Sequence, residues 1–589
     1  MASPFAILGL AAALLFGAPS AAAPAPQPHD AVVYRLSPVL EGGKLTALAV
    51  EVRYAADASG RGDFEWSPGW AGEKRLWQWA RDFKVQGATT VEDAGEGHWR
   101  ISAPPGRALT VTYRVVSAYD HDPTVGEDPG QAPPIVRPTW FYSVGESLFG
   151  APAGRDAAPA AFAWTGGRSG FTFASDLQHL ADARPGAHGP AARPGTVADI
   201  QESIALGGTD VRISGSLDAR SRVRIASRGA FKFSAEDFDA LARRIIDTER
   251  AFWGDGPRDP FLVTIAPLQG TPNALSYSGT GRTDAFAIWY DANASLDQAK
   301  WLLAHEYFHT WDPRQLGGFR PKSDDEPLGY WFSEGFTDYY ARRLTLGAGV
   351  WSLQDFADAW NEVLKSYGVS TKRNTPNRDI PQGFWSDPEL KQLPYWRGAL
   401  IAIVLDRDLR AADRKGLDGL LRALRRRVAT SPQPADSDAS LRFRELLRAK
   451  HPDLDAWVER TAIAGETVTL PADSFAPCFT IATLQMPTFD RGFDLRGSMK
   501  NDRRVIGLEP DGPAARAGLK AGDKISVDES TIPDPTVARR YVVHDADGRS
   551  HVVTYLPQGP LVPVQQIAVA PGLGDRARAA CLRLYGARN

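Results

Sequence analysis

From residue 31 onward, short apolar runs alternate with polar positions, and the period of the pattern changes near Phe231. Residues 32–36, 45–54, 98–102 and 109–116 are rich in β-branched and aromatic side chains, show partial alternation, and are separated by Pro and Gly clusters. That pattern predicts strands, so residues 31–200 read as a β-rich, sandwich-like unit. The stretch from Gly150 to Thr196 is dominated by Ala, Gly and Pro and reads largely as surface connections. From Ser234 to Trp253 the apolar residues fall at helical spacing, with Ser234 placed to cap the helix. Two strand-like runs follow, 260–266 and 284–290, and helical patterns then dominate to about Thr461, for example 353–367, 395–410 and 417–429. Residues 201–470 therefore read as an α-rich domain with a small sheet at its front.

A third unit, 475–589, has a different rhythm. Val505-Ile506-Gly507-Leu508 reads as a strand, residues 513–519 as a short helix closing at Gly518, and Ala521-Gly522-Asp523-Lys524-Ile525 as a turn into another strand. The predicted fold class is multidomain α+β.

Composition narrows this picture only a little. A chain of 589 residues exceeds a single core and suggests about three or four domains. Hydrophobic residues make up 43%, charged residues 23%, and the net charge is -3, so nothing points to nucleic acid or an anionic membrane as partner. Arg425-Arg426-Arg427 sits in a Leu-rich helical pattern and reads as a solvated helix face.

The first residues change it more. Phe5 to Phe16 form an apolar run, and Ser20 and Ala22 suit cleavage after Ala22. Residues 1–22 read as a signal peptide, either removed or kept as an anchor. No later stretch is apolar enough to span a bilayer. The chain is thus expected outside the cytoplasm, in the periplasm or secreted. Its two cysteines, Cys478 and Cys581, then either close a disulfide, which such a compartment favours, or remain buried thiols.

The chemistry lies at residues 305–309, His-Glu-Tyr-Phe-His. Leu296, Ala299, Leu302 and Leu303 supply the apolar stripe of a helix, for which Ser295 and Gln298 look like a capping box. Side chains four apart share a helical face, so His305 and His309 can hold one ion, with Glu306 beside them to act on a metal-activated water. Downstream comes Trp331-Phe332-Ser333-Glu334-Gly335-Phe336-Thr337-Asp338-Tyr339-Tyr340, with Glu334 twenty-five residues past His309; it reads as a second helix. A catalytic zinc takes three protein ligands, and Glu334 is the natural third. Asp338, one turn on, can hold a ligand histidine by its other ring nitrogen. A serine-hydrolase reading fails, because no Gly-x-Ser-x-Gly elbow is present.

His305 to Trp311 together with Trp331 to Tyr340 resembles the glycyl aminopeptidase family of zinc peptidases. The resemblance implies a β-rich N-terminal domain, a thermolysin-like catalytic domain and a C-terminal PDZ domain. It implies Zn2+ on His305, His309 and Glu334, with Glu306 as base. Pro394-Tyr395-Trp396-Arg397-Gly398 is similar to the family's Tyr-x-Lys/Arg-Gly segment, which implies that Tyr395 donates to the oxyanion. One departure stands out. The family's Gly-Gly-Leu-Glu-His-like strand, whose glutamate can face a substrate amine, is replaced here by Asn273-Ala274-Leu275-Ser276-Tyr277-Ser278-Gly279-Thr280-Gly281-Arg282. Peptides or proteins are the expected substrates. Strict dependence on a free amine is not expected, unless an acid such as Asp284 or Asp291 substitutes. The alternatives are an endopeptidase or oligopeptidase, or a non-catalytic, chaperone-like peptide binder.

At the C-terminus, Gly512-Pro513-Ala514, Ala517-Gly518-Leu519 and Gly522-Asp523-Lys524-Ile525 resemble a bacterial PDZ domain. Such a domain would take a peptide ligand at a sheet edge, with its carboxylate near Arg491-Gly492-Phe493-Asp494.

Overall fold

The structure is a computed structural model. It describes residues 31–585 apart from 71–72, 126, 128, 130–132, 168, 179–194, 217–221, 256–260, 271–276, 283, 321–324, 432–437, 528–533 and 545–548. The expected signal segment and residues 273–276 lie outside the described residues.

The N-terminal unit is built of strands. Val32–Glu41 and Lys44–Ala55 form an antiparallel pair, extended by Ala108–Val115 and Ala80–Gln86. Alternation along Lys44–Ala55 sends Leu48, Val50, Val52 and Tyr54 inward against Phe64, Trp66, Tyr113 and Phe149. Within the Ala- and Pro-rich stretch, short strands form between the connections. Ala160–Trp164 pairs in parallel with the first strand, Val32 opposite Ala160, and Thr172–Ser175 pairs with Ile204–Gly208. Neither strand advertises itself locally, because its partner is distant in sequence.

The front sheet of the helical domain contains β1 (Arg212–Ser216), β2 (Val223–Ser227), β3 (Phe261–Leu268), β4 (Tyr277–Gly281) and β5 (Ala285–Asp291), in the order β1-β2-β3-β5-β4. It is covered on both faces. Along β5, Phe286, Ile288 and Tyr290 enter the helical core, while Ala285, Ala287 and Trp289 meet Trp140, Tyr142 and Ile204 of the N-terminal unit. Strand β4 is the edge, and its far face is tied to the N-terminal unit by buried Arg282, 2.8 Å from Glu146.

Behind the sheet lie α1 (Ala235–Trp253), α2 (Ala299–Phe308), α3 (Tyr330–Ser333), α4 (Gly335–Gly347), α5 (Leu353–Val369), α6 (Pro388–Ala412) and α7 (Gly416–Thr430). Ser234 caps α1 by accepting from Asp237 N at 3.0 Å. The capping box foreseen at Ser295 does not form. Residues Leu296–Gln298 make a 3₁₀ turn with no side-chain cap, and the Ser295 carbonyl accepts from the Tyr290 hydroxyl instead. On α7, Arg425 also departs from a solvated face: it is half-buried and donates to both carboxylate oxygens of Asp255, at 3.0 and 2.8 Å, while Arg426 and Arg427 are exposed. Among the described residues no helix is long and apolar enough to cross a membrane.

In the C-terminal unit, β6 (Phe479–Phe489) and β7 (Gln558–Val569) form a long antiparallel pair. Asn361 of α5 exchanges hydrogen bonds with Ile567 of β7, at 2.9 and 2.7 Å. The run 505–508 is not a strand; only an isolated bridge, Asp494 to Ile506, forms there. The final helix, α8 (Asp575–Tyr585), is joined to β6 by the Cys478–Cys581 disulfide and rests on α4, where Arg343 donates to the Tyr585 carbonyl.

Candidate metal centre

Helix α2 ends at the site. Leu302, Leu303 and Phe308 are buried, which turns His305 and Glu306 toward β4 and α4 and leaves His309 as the helix C-cap. The second segment is not one helix, as its sequence suggested. It breaks at Glu334, which joins α3 to α4, and the break aims the carboxylate at the two imidazoles.

His305 Nε2 lies 3.2 Å from His309 Nε2, and Glu334 Oε2 lies 3.3 and 3.4 Å from them. Among the described residues these three are the one group whose donor atoms come close enough to share an ion. The donor set fits zinc: two imidazole nitrogens and a carboxylate about 2.0–2.2 Å from a tetrahedral ion stand about 3.3 Å apart. The outward ring nitrogens are occupied. His305 Nδ1 is 3.0 Å from Asp338, and His309 Nδ1 is 2.8 Å from the Asp312 carbonyl, so both Nε2 atoms are directed inward.

Charges follow from this arrangement. Burial works against a charged His305, but the bonds to Asp338 and Glu334 outweigh it and lift the metal-free imidazole to about 10. Burial also opposes ionisation of Glu334, yet His309 and His305 hold it far below the usual carboxylate range. Asp338 is likewise held low, burial being outweighed by Arg342 and His305; Arg342 Nη1 lies 3.0 Å from its carboxylate.

Glu306 reaches toward β4. A Cβ on Gly279 would meet its Oε1 at 2.7 Å, and one on Gly281 its Oε2 at 3.5 Å. Tyr395 stacks against His305, with ring centroids 6.0 Å apart. It does not start its helix; α6 begins at Pro388 and runs through Pro394. Glycine brings it in. A Cβ on Gly398 would sit 1.9 Å from the Trp331 carbonyl, and one on Gly335 would sit 2.4 Å from the Gly398 Cα, so only bare backbone lets α6 cross the α3–α4 junction here. Burial first, and then Glu334, Tyr330, Asp338 and Glu306, push the Tyr395 phenol well above its ordinary value, which keeps it a proton donor.

Sequence reasoning missed three neighbours of the site: the Asp312 carbonyl, Arg342 and Trp301. The first two carried a signal, three residues after His309 and four after Asp338. Trp301, four residues before His305, has its ring 5.2 Å from it. The acids foreseen as substitutes for an amine-binding glutamate lie elsewhere. Asp291 accepts from Asn293 N in a turn, and Asp284 stands toward Asp176 of the N-terminal unit.

Comparison with known proteins supplies the remaining context. No curated protein matches the chain. Among solved structures, the aminopeptidase N family protein from Idiomarina loihiensis is similar at a TM-score of 0.65 and 16% identity, over 93% of this chain and 99% of that one. That likeness is one of fold: a β-rich N-terminal region followed by a helical domain. The M1 zinc metallopeptidase from Deinococcus radiodurans aligns more loosely, at a TM-score of 0.42 and 14% identity, over 75% of this chain and 94% of that one. Residues 298–380 match the family model of M61 glycyl aminopeptidase. That span contains the two histidines, the glutamate and the helix junction that brings them together, and it is similar to the M61 glycyl aminopeptidases in that stretch.

Proposed function

We propose that the chain hydrolyses peptide bonds, with His305, His309 and Glu334 holding zinc, Glu306 moving the proton and Tyr395 donating to the oxyanion. The convergence of the three donor atoms, with Glu306 beside them, carries this reading. Bound zinc supplies Lewis acidity, which acidifies water and polarises the scissile carbonyl. Glu306 takes the proton of the attacking water as the C–O bond forms and delivers it to the leaving amine as the C–N bond breaks. Tyr395, protonated at neutral pH, donates a hydrogen bond to the developing oxyanion, a contribution of a few kcal/mol at sites of this kind. Asp338 and the Asp312 carbonyl fix the orientation of the two imidazoles.

The decisive test separates metal binding from turnover. His305→Ala and His309→Ala are expected to lose both zinc and activity. Glu306→Gln should keep about one zinc per chain through three protein ligands while losing nearly all turnover, because an amide cannot accept the proton. Full zinc occupancy in either histidine variant, or turnover within about tenfold of wild type in Glu306→Gln, overturns the assignment.

Aminopeptidase-like action is what the family resemblance implies, but the edge strand favours a second reading of its selectivity. Tyr277, Gly279 and Gly281 share the face of β4 that turns to the site, and none carries a charge. With no opposed carboxylate from this strand, a terminal ammonium gains little over an internal amide. Endopeptidase or oligopeptidase cleavage is then within reach of the same machinery. N-acetylation of a peptide substrate is expected to lower kcat/KM by less than about a hundredfold, or about 2.7 kcal/mol; a larger loss means that the amine is recognised.

The surrounding units complete the proposal. Residues 31–200, 201–470 and 475–589 serve as N-terminal, catalytic and PDZ-like units after export of the chain. Export is supported by the leading apolar run and by the Cys478–Cys581 bridge, since disulfides persist in oxidising compartments. The three-stranded sheet of the C-terminal unit, Lys524–Val527, Arg539–His544 and Ser550–Tyr555, would take an extended peptide ligand by strand addition.

A further inference from the structure

Strand β4 presents an uneven face to the metal centre. Its site-facing positions run Tyr277, Gly279, Gly281, and the two glycines let the strand backbone close on Glu306 and His309 with no side chain between them. Tyr277 is therefore the one ring on this face of the described strand. Two residues of strand advance about 6.6 Å, roughly the reach from a reacting peptide group to the side chain of a flanking residue.

The ring keeps 40% of its surface accessible, although its hydroxyl feels the charges of Asp338, Arg342 and Glu306. A side chain that is open yet surrounded by site groups lines an internal cleft, not the outer surface. Tyr277 meets Trp301 edge to face, with centroids 6.3 Å apart, and Trp301 in turn lies 5.2 Å from the His305 ring. The two rings form a continuous shelf ending at a metal ligand. Asp338 and Arg342 are paired with each other at 3.0 Å, and the Arg342 guanidinium already lies over the Trp301 ring, 5.5 Å from its centroid. Such a surface gains most from an apolar ring or a large aliphatic group laid against it, and offers little to a cationic side chain.

We propose that Tyr277 and Trp301 form the side-chain subsite flanking the scissile bond, so that the enzyme selects peptides with an aromatic or large apolar residue beside the cleavage point. This deepens the peptidase reading and rests on it.

The experiment uses the full chain with zinc bound and a matched peptide series carrying Phe, Leu, Ala or Lys at each position flanking the cleaved bond. Wild type is expected to favour Phe or Leu over Ala by about ten- to two-hundredfold in kcat/KM at one flanking position. Tyr277→Ala should collapse that ratio at least about tenfold while Tyr277→Phe preserves it, because the ring and not the hydroxyl selects. Trp301→Leu provides a second variant should Tyr277→Ala fold poorly, and it should lower the same ratio. An unchanged ratio in these variants, or an equal loss on Phe and Ala peptides, overturns the proposal. Should wild type show no turnover, the peptidase reading fails on its own. The subsite is then judged by fluorescence titration of the Phe and Ala peptides onto the zinc-loaded Glu306→Gln variant, where equal affinities overturn it and a Phe preference lost in Glu306→Gln/Tyr277→Ala upholds it.

Discussion

At the scale of single residues, the centre is a charge problem solved by hydrogen bonds. Two imidazoles and a carboxylate face one another within 3.4 Å in buried surroundings. Without metal, a proton on His305 offsets the Glu334 and Asp338 carboxylates, which is why that imidazole is lifted to about 10. Zinc takes only the neutral ring. Between pH 7 and 8, below the raised value, loading the metal must therefore expel about one proton per ion, and affinity must weaken as pH falls. Calorimetry in buffers of differing ionisation enthalpy measures this directly. Zinc uptake at pH 7.5 with no proton release would contradict the assigned state of His305.

At the scale of elements, the site depends on where backbones come close. The edge strand β4 reaches Glu306 only because Gly279 has no side chain: a Cβ there would stand 2.7 Å from the carboxylate oxygen. In Gly279→Ala the carboxylate, as the movable partner, must shift. The expected result is a folded protein that keeps its zinc and loses at least about tenfold in kcat, since a displaced base no longer meets the proton it must take. Turnover equal to wild type would show that Glu306 works from another position. Here sequence and structure can be compared closely. The four-residue spacing of His305 and His309, the glutamate after a Trp-Phe run and the Ser234 cap were all legible, because each is a local consequence of helical geometry. The break at Glu334, the lack of a cap at Ser295 and the location of Tyr395 inside α6 were not. The first is set by a distant contact, the crossing of Gly335 by Gly398; the other two are settled nearby, by the Tyr290 hydroxyl on the Ser295 carbonyl and by Asp387 capping α6 ahead of Pro388.

At the scale of the whole molecule, the C-terminal unit is bolted to the catalytic one. Asn361 of α5 bonds Ile567 of β7, and α8 rests on α4, the helix that carries Asp338. The Cys478–Cys581 bridge, spanning 103 residues of sequence, fastens α8 to β6. Closing a loop of that length contributes about 4–5 kcal/mol in the chain-entropy model. Cys478→Ser with Cys581→Ser is expected to lower the unfolding free energy by an amount of that order in denaturant titrations, with zinc still bound in native buffer; an unchanged midpoint would refute a stabilising role. By itself the sequence determined the identity and spacing of the three candidate ligands, the helices that present them and the pair of cysteines, because these rest on spacing and side-chain chemistry within a few turns of chain. Only the tertiary structure decided that both Nε2 atoms turn inward, that Tyr395 stacks on His305 and Tyr277 meets Trp301, and that Asp284 and Asp291 lie elsewhere. Those outcomes depend on which segments come to lie against one another in space, such as Tyr395 against His305, and no local pattern records that.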